Sequence, residues 1–172
     1  MHCAGAAAEV VTGLGWEALF QERVAGPLGM TTFDWEGLGA TTNPRPAGGG
    51  RASARDYAAL LAMLLDGGAF QGTPVLSTRT VQEILADQTG GAPVVSSPLP
   101  ESLGYGIGTW ITTRAADGRS GTTASPGAFG AWPWIDRERG YAAMVLVRRN
   151  TDAGRAVVEA IRPLVELAVA GG

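Results

Sequence analysis

The feature that most restricts the fold of this 172-residue chain is a strand-rich segment followed at once by one long helix. Apolar residues alternate or run together in a way that predicts three strands, over residues 105–111, 123–133 and 141–148. A turn at Asp117-Gly118 favours a hairpin. Thr151 or Asp152 then suits the N-cap of the final helix. Antiparallel strands followed by a packing helix predict an α+β domain, an antiparallel sheet flanked by helices.

Helices are predicted in the first half of the chain as well. Ser53 suits the N-cap of a helix over residues 54–65, and Ser77 suits that of a helix over 78–87. The other predicted elements are two short helices joined over residues 12–15, a stop at Gly26-Pro27, and a long ordered loop over 29–50. In the final helix, which Pro163 should kink, the predicted buried face consists of Val157, Val158, Ile161, Leu164, Val165 and Leu167.

Composition favours one globular domain over residues 1–172, because 45% of the residues are hydrophobic and 17% are charged, with both signs scattered. The net charge is -3 and there is no basic stripe, so no nucleic-acid partner is expected. Cys3 is the only cysteine, which leaves no ligand cluster from which to propose a metal or another cofactor. The first residues predict neither a signal peptide nor a membrane span, because Glu9 interrupts their apolar run.

The thirteen basic residues are all arginine, and His2 is the only histidine. A nucleophilic serine needs a neighbouring base, usually His or a deprotonated Lys, and arginine stays protonated at any working pH. A catalytic pair of His2 and Cys3 is disfavoured, because terminal residues are usually too mobile to hold a proton-transfer geometry.

Four strings occur in order along the chain: GPLGMTTFDW at residues 26–35, AGGGRASARDYAALLAMLLDGG at 47–68, GYGIGTW at 104–110 and SPGAFGAWPWID at 125–136. Together they resemble the serine hydrolases that include class C β-lactamases, D-alanyl-D-alanine peptidases and related esterases. The resemblance covers nearly the whole chain. It implies a β-lactamase/transpeptidase-like fold and hydrolysis of a small-molecule ester or amide through an acyl-serine.

In such enzymes Ser-x-x-Lys supplies the nucleophile and a base, and Tyr-x-Asn or a similar motif supplies a second proton-transfer group. Neither motif occurs in this sequence. The resemblance places the Tyr motif just before a helix like that over residues 3–12. The chain is therefore expected to be the C-terminal part of a hydrolase, incomplete at its N-terminus and nearly inactive alone.

The family's third motif is Lys, His or Trp, then a small residue, then Gly, and here it reads Ser125-Pro126-Gly127. The resemblance implies substrate contacts from Ser125 and Gly127 and an oxyanion-hole N–H from Ala128. Ser125 departs from the pattern, since a serine offers one neutral hydrogen bond where lysine would offer charge. From spacing alone, the same residues are more typical of a strand that enters a turn. Their position after GYGIGTW in the family's order brings the two interpretations level.

Trp132 and Trp134, two residues apart on a predicted strand, should point to the same face of the sheet. They are candidates to line an apolar pocket for an acyl or aryl group, and core packing is the alternative.

Two other functions stay open. The altered Ser125-Pro126 favours a stand-alone, non-catalytic ligand-binding or interaction protein of the same fold. A small esterase that uses one of its own serines would need an acidic side chain or His2 as its base. An incomplete sheet would also expose a strand edge and an apolar helix face, so self-association is expected.

Overall fold

The computed structural model describes residues 1–171 and shows the α+β architecture expected from the sequence. The helices are α1 (His2–Thr12), α2 (Trp16–Phe20), continued by a π-helical turn (Gln21–Ala25), α3 (Ala54–Leu65), α4 (Thr78–Leu85) and α5 (Thr151–Ala170). The strands are β1 (Ala69–Phe70), β2 (Thr73–Pro74), β3 (Gly104–Tyr105), β4 (Trp110–Ile111), β5 (Thr122–Ala124), β6 (Ala131–Asp136) and β7 (Tyr141–Leu146).

Strands β3 to β7 form one antiparallel sheet in which each strand pairs with its neighbour in the sequence. The ladder between β6 and β7 is the longest and runs from the Ala131–Leu146 pair to the Asp136–Tyr141 pair. Strands β1 and β2 form a separate small hairpin. Strand β7 is the last strand of the sheet, and among residues 1–171 no strand pairs with its outer edge.

Helices cover both faces of the sheet. Successive side chains of β6 point to opposite sides, so this strand contributes to the core on each face. Trp132 and Trp134 are buried with Val158 of α5 on one face. Ile135 is buried with Leu61 of α3 on the other face. A third cluster packs the end of α2 and the turn after it against α3, and it contains Ala25, Leu28, Met30 and Met63.

The start of α3 confirms the predicted cap, since the Ser53 hydroxyl accepts the Asp56 N–H at 3.2 Å. The buried Asp56 carboxylate accepts the Thr32 N–H at 2.8 Å and the Thr32 hydroxyl at 2.6 Å. These bonds, the hydroxyl contact above all, lower the pKa of Asp56. The long loop after α2 is thereby fastened to α3 at its first residues.

A second buried carboxylate joins the sheet to α5. Asp136 has no exposed surface and accepts the Arg139 N–H at 3.0 Å and the Arg139 guanidinium at 2.9 Å, within one hairpin. The Arg162 guanidinium on α5 lies 3.8 Å from the same carboxylate. One buried charge is thus shared by two arginines of different elements.

Two predicted strands were wrong in extent, because each is a tight hairpin. Residues 105–111 divide into β3 and β4, joined by a turn in which the Gly106 N–H donates to the Thr109 carbonyl at 2.8 Å and Gly108 has φ +82°. Residues 123–133 divide into β5 and β6, joined by a connection that ends at Gly130, with φ +88°. Glycine adopts such positive φ without strain, which lets the chain reverse there.

The final helix differs from its prediction at both ends. Its N-cap is Asn150, whose side-chain oxygen accepts the Ala153 N–H at 3.0 Å, and neither Thr151 nor Asp152 fills that position. Val157, Leu164 and Leu167, predicted as buried, are 37%, 65% and 71% exposed. The helix packs on the sheet through a narrower stripe of Val158, Ile161 and Val165. Within residues 1–171, no helix is both long enough and apolar enough to cross a bilayer.

Candidate active site

The connection between β5 and β6, residues 125–130, holds three of the predicted site residues in one loop. The Ser125 N–H donates to the Pro133 carbonyl at 3.2 Å, and the Gly127 N–H donates to the Ala131 carbonyl at 2.8 Å. The Gly130 N–H donates to the Gly127 carbonyl at 3.1 Å. These bonds extend the β5–β6 ladder beyond the strands and fix the loop backbone.

Ala128 lies at the exposed tip of this loop. Among the acceptors of residues 1–171, none receives its backbone N–H. The carbonyl of the next residue, Phe129, accepts the Arg149 N–H at 3.2 Å, so the tip is held from the end of β7 as well. A free N–H between hydrogen-bonded neighbours is a donor that needs little reorganisation to meet a ligand oxygen.

Close backbone packing against α5 and against the end of β7 supports the loop. The Thr151 hydroxyl at the start of α5 donates to the Gly127 carbonyl at 3.1 Å. Gly130 approaches the Val147 carbonyl so closely that a side chain on it would overlap that oxygen. A side chain at Gly154 would meet the Gly130 carbonyl at 2.9 Å. Sequence reasoning treated Thr151 only as a cap and missed Gly154, because these contacts join segments far apart in the chain.

The two tryptophans lie on the other face of the sheet from Ser125. Ala124 pairs with Trp134, and the bond from Ser125 to Pro133 places Ser125 one step further along the ladder, facing the opposite way. Trp132 and Trp134 are 4% and 2% exposed. The structure therefore brings Ser125, Gly127 and Ala128 together and places both tryptophans in the core beneath α5.

The tryptophans border a groove under α5 with a volume of about 290 Å³. The Arg155 guanidinium stacks over Trp132 at 5.3 Å from the ring centre and lies 3.8 Å from the Glu101 carboxylate. Arg162 pairs with Glu166 at 2.8 Å. Because each cation of this groove has an acidic partner, the groove offers no free positive charge to a ligand.

His2 and Cys3 open α1, and both are exposed. Adjacent residues of a helix point in different directions, and among the described residues no hydrogen bond joins these two side chains. The structure does not bring them together as a pair.

The most strongly shifted carboxyl group belongs to the scaffold. Hydrogen bonds from the Thr89 hydroxyl at 2.7 Å and the Thr89 N–H at 2.9 Å, together with the Arg114 guanidinium, lower the pKa of Asp87 to about 2. The carboxylate also packs against Gly104 of β3. Asp87 thus fastens the segment after α4 to β3 and to the segment that follows β4.

The model of the family described as beta-lactamase matches residues 1–167. The chain belongs to the beta-lactamase family. The comparison with curated proteins found no match.

Solved structures of this family share the fold of the chain. A protein from Bacteroides dorei assigned as a beta-lactamase is 29% identical, with a TM-score of 0.76, over 95% of this chain and 55% of that one. A variant of the simvastatin synthase LovD from Aspergillus terreus is 18% identical, with a TM-score of 0.74, over 99% and 54%. EstCE1, a hydrolase with promiscuous acyltransferase activity, is 19% identical, with a TM-score of 0.69, over 88% and 51%.

This beta-lactamase family member spans about half the length of those structures. The likeness to the simvastatin synthase and to EstCE1 concerns the fold alone, because both sequences are less than 25% identical. The serine-hydrolase type of fold that the four sequence strings predicted is confirmed.

Proposed function

We propose that this chain forms one wall of the active site of a serine hydrolase, which cleaves an ester or amide through an acyl-serine. The free N–H of Ala128, on a loop whose neighbouring backbone groups are hydrogen-bonded, carries this proposal. The name of one matched structure, EstCE1, a hydrolase with promiscuous acyltransferase activity, supports the same class of reaction. The nucleophile and its base come from a segment outside these 172 residues, since the sequence contains no lysine.

In the proposed reaction a serine oxygen attacks the substrate carbonyl carbon, and the carbonyl oxygen takes up negative charge. That oxygen accepts the Ala128 N–H, which stabilises the tetrahedral intermediate. The intermediate expels an alcohol or amine, and water then releases the acid from the acyl-serine. Ser125 supplies one neutral hydrogen bond to the substrate, and Gly127 leaves room for its close approach.

The tryptophans have a supporting part in this proposal. Trp132 and Trp134 fill the core between β6 and α5, which holds the start of β6 against the beginning of the helix. The loop of residues 125–130 is attached to the start of β6 through Ala131 and to the start of α5 through Thr151. An acyl or aryl group bound beside Trp132 would have to enter the groove on the α5 side of the sheet.

The first test is to sequence the DNA in frame upstream of the Met1 codon. The proposal expects codons for Ser-x-x-Lys and then for Tyr-x-Asn or a similar motif. A stop codon and a ribosome-binding site directly upstream would contradict it and would favour the non-catalytic alternative.

The second test uses that extended chain and the hydrolysis of p-nitrophenyl acetate. Ala128→Pro removes the N–H and should lower kcat by roughly a hundredfold or more, as the loss of one oxyanion donor does. Ala128→Gly keeps the N–H and serves as the control, with kcat within about threefold of the unmodified enzyme. Equal rates for the proline and glycine variants, with matching thermal unfolding, would exclude the oxyanion role.

The alternative is a non-catalytic ligand-binding or interaction protein of the same fold, and Ser125-Pro126 is the observation that favours it. Intact-mass spectrometry distinguishes the candidates. An acyl adduct on the extended chain supports the hydrolase, and its complete absence supports the alternative. An adduct on the 172-residue chain alone would instead indicate a small esterase with its own serine.

A further inference from the structure

The peptide unit between Gly127 and Ala128 carries the donor on which the proposed reaction depends. The Gly127 carbonyl and the Ala128 N–H belong to one planar group, and in a trans peptide they point in opposite directions. No peptide bond within residues 1–171 is cis. Any contact that holds the Gly127 carbonyl therefore also sets the direction of the Ala128 N–H.

Two donors hold that carbonyl. The Gly130 N–H donates to the Gly127 oxygen at 3.1 Å and closes the turn of residues 127–130. The Thr151 hydroxyl, in the first turn of α5, donates to the same oxygen at 3.1 Å. A backbone carbonyl oxygen has two lone pairs, so both of its acceptor positions are filled. The peptide unit cannot rotate without losing both bonds.

The two bonds differ in what they attach. The bond from Gly130 lies inside the turn and moves with it. The bond from Thr151 reaches a separate element, α5, which is packed on the sheet through Val158. Thr151 is half-buried, and among the described residues its hydroxyl provides the one side-chain hydrogen bond to the loop of residues 125–130. The other bonds of this loop join backbone groups, so a substitution at Thr151 removes a single contact.

The Thr151 bond bears on the donor in two ways. Because the Gly127 carbonyl points to the start of α5, the Ala128 N–H points away from that helix. Ser125 faces away from α5 as well, so the donor and the Ser125 side chain serve the same side of the sheet. In addition, a carbonyl that accepts hydrogen bonds polarises its own peptide N–H, which strengthens the bond that this N–H can donate.

We infer that Thr151 is a positioning residue for the oxyanion donor. Its hydroxyl holds the peptide unit of Gly127 and Ala128, so that the N–H is already oriented when negative charge develops on the substrate oxygen. The inference rests on the proposed function, which makes the Ala128 N–H the donor. It adds a residue that does not touch the substrate and acts through the Gly127 carbonyl.

NMR spectra of the 172-residue chain test the bond itself. Thr151→Val has nearly the same shape and lacks the hydroxyl, and Thr151→Ser keeps the hydroxyl. In the valine variant the carbonyl ¹³C resonance of Gly127 should move upfield and the Ala128 amide resonance should shift, and the serine variant should restore both. Thr12→Val is the control, because it removes a hydroxyl bond to the Ala8 carbonyl, at 2.7 Å, within α1. Unchanged Gly127 and Ala128 resonances in Thr151→Val would overturn the inference.

Hydrolysis of p-nitrophenyl acetate by the extended chain tests the catalytic effect. Thr151→Val should lower kcat roughly five- to tenfold, the equivalent of one neutral hydrogen bond. KM should stay within about twofold, because the donor binds the tetrahedral intermediate more strongly than the substrate. Thr151→Ser should bring kcat back to within about twofold of the unmodified enzyme, and Thr12→Val should leave it unaltered.

The outcomes separate this inference from the proposed function. An unaltered kcat in Thr151→Val, beside a large loss in Ala128→Pro, would overturn the positioning role and keep the oxyanion role. An equal loss of kcat in the valine and serine variants would also overturn it, because the hydroxyl would then not be the cause. An unaltered kcat in Ala128→Pro would overturn the proposed function, and the positioning role would fall with it even if the spectra show the Thr151 bond.

Discussion

At the residue scale, Asp87 shows how a single carboxylate makes the stability of the fold depend on pH. Its hydrogen bonds with Thr89 and Arg114 hold its pKa at about 2 in the folded protein, against 3.8 for an unperturbed aspartate. A carboxyl group with a lowered pKa in the folded state stabilises the fold above its unfolded pKa. That stability is lost as the pH falls from about 4 through about 2.

Asp87→Asn should therefore lower the free energy of unfolding by on the order of 2 kcal/mol at pH 6, because the amide cannot form the same charged contacts. The difference in the free energy of unfolding between the variant and the unmodified chain should become smaller as the pH falls towards 2. Urea unfolding at a series of pH values measures both effects. Asp66→Asn, an exposed position after α3, is the control, and an equal loss at pH 6 in both variants would contradict the prediction.

At the element scale, the best-predicted elements have strong local signals. Ser53 and Ser77 fixed the starts of α3 and α4 because a capping hydroxyl acts within three residues of itself. The strand boundaries failed because alternation over residues 105–111 fits one strand and a tight hairpin equally well. The close contact of Gly106 with the Ile84 carbonyl, which no local pattern records, helps to fix the turn.

The β5–β6 connection gives a sharp test of such contacts. Gly130 and Gly118 both have positive φ, +88° and +82°, but only Gly130 lies against another backbone segment, at Val147. Gly118→Ala should lower the free energy of unfolding by about 1 kcal/mol, because alanine is strained at this positive φ. Gly130→Ala should lower it by roughly 3 kcal/mol or more, because the new side chain would also overlap the Val147 carbonyl. Thermal unfolding compares the two, and equal costs would contradict this account of the loop.

At the scale of the whole molecule, the sequence predicted the family, because the four strings occur in an ordered series. Ser125 and the tryptophans were all expected to contact the substrate, although alternation along one strand would already place them on opposite faces of the sheet. The observed ladder, in which Ala124 pairs with Trp134, keeps them on opposite faces. No local pattern indicated the bond from Thr151 to Gly127, because it joins residues 24 positions apart in the chain.

The free edge of β7 leads us to propose that the chain self-associates. The Val147 N–H donates towards β6, so the N–H of Leu146, one residue earlier, points outward. Leu146 is 47% exposed, and Val157 and Leu164 of α5 are also exposed. An open backbone edge beside apolar side chains favours pairing with a second strand.

Light scattering should show a mass that rises with protein concentration. Leu146→Pro removes the outward N–H while leaving the bonds to β6 intact, so it should shift the chain towards the monomer. Leu146→Ala, which keeps the N–H, should associate more strongly than the proline variant. A monomer at every concentration, or the same degree of association in the two variants, would count against association through the edge of β7.

The shared carboxylate of Asp136 has a consequence for the order of folding. The β6–β7 hairpin is synthesised before α5, and on its own it could not exclude water from Asp136 at acceptable cost, because Arg139 alone would offset the charge. Water can be excluded from that end of the sheet only when α5 packs on it and brings Arg162 to the carboxylate. The β6–β7 hairpin and α5 should therefore form in one cooperative step, and neither should be stable without the other.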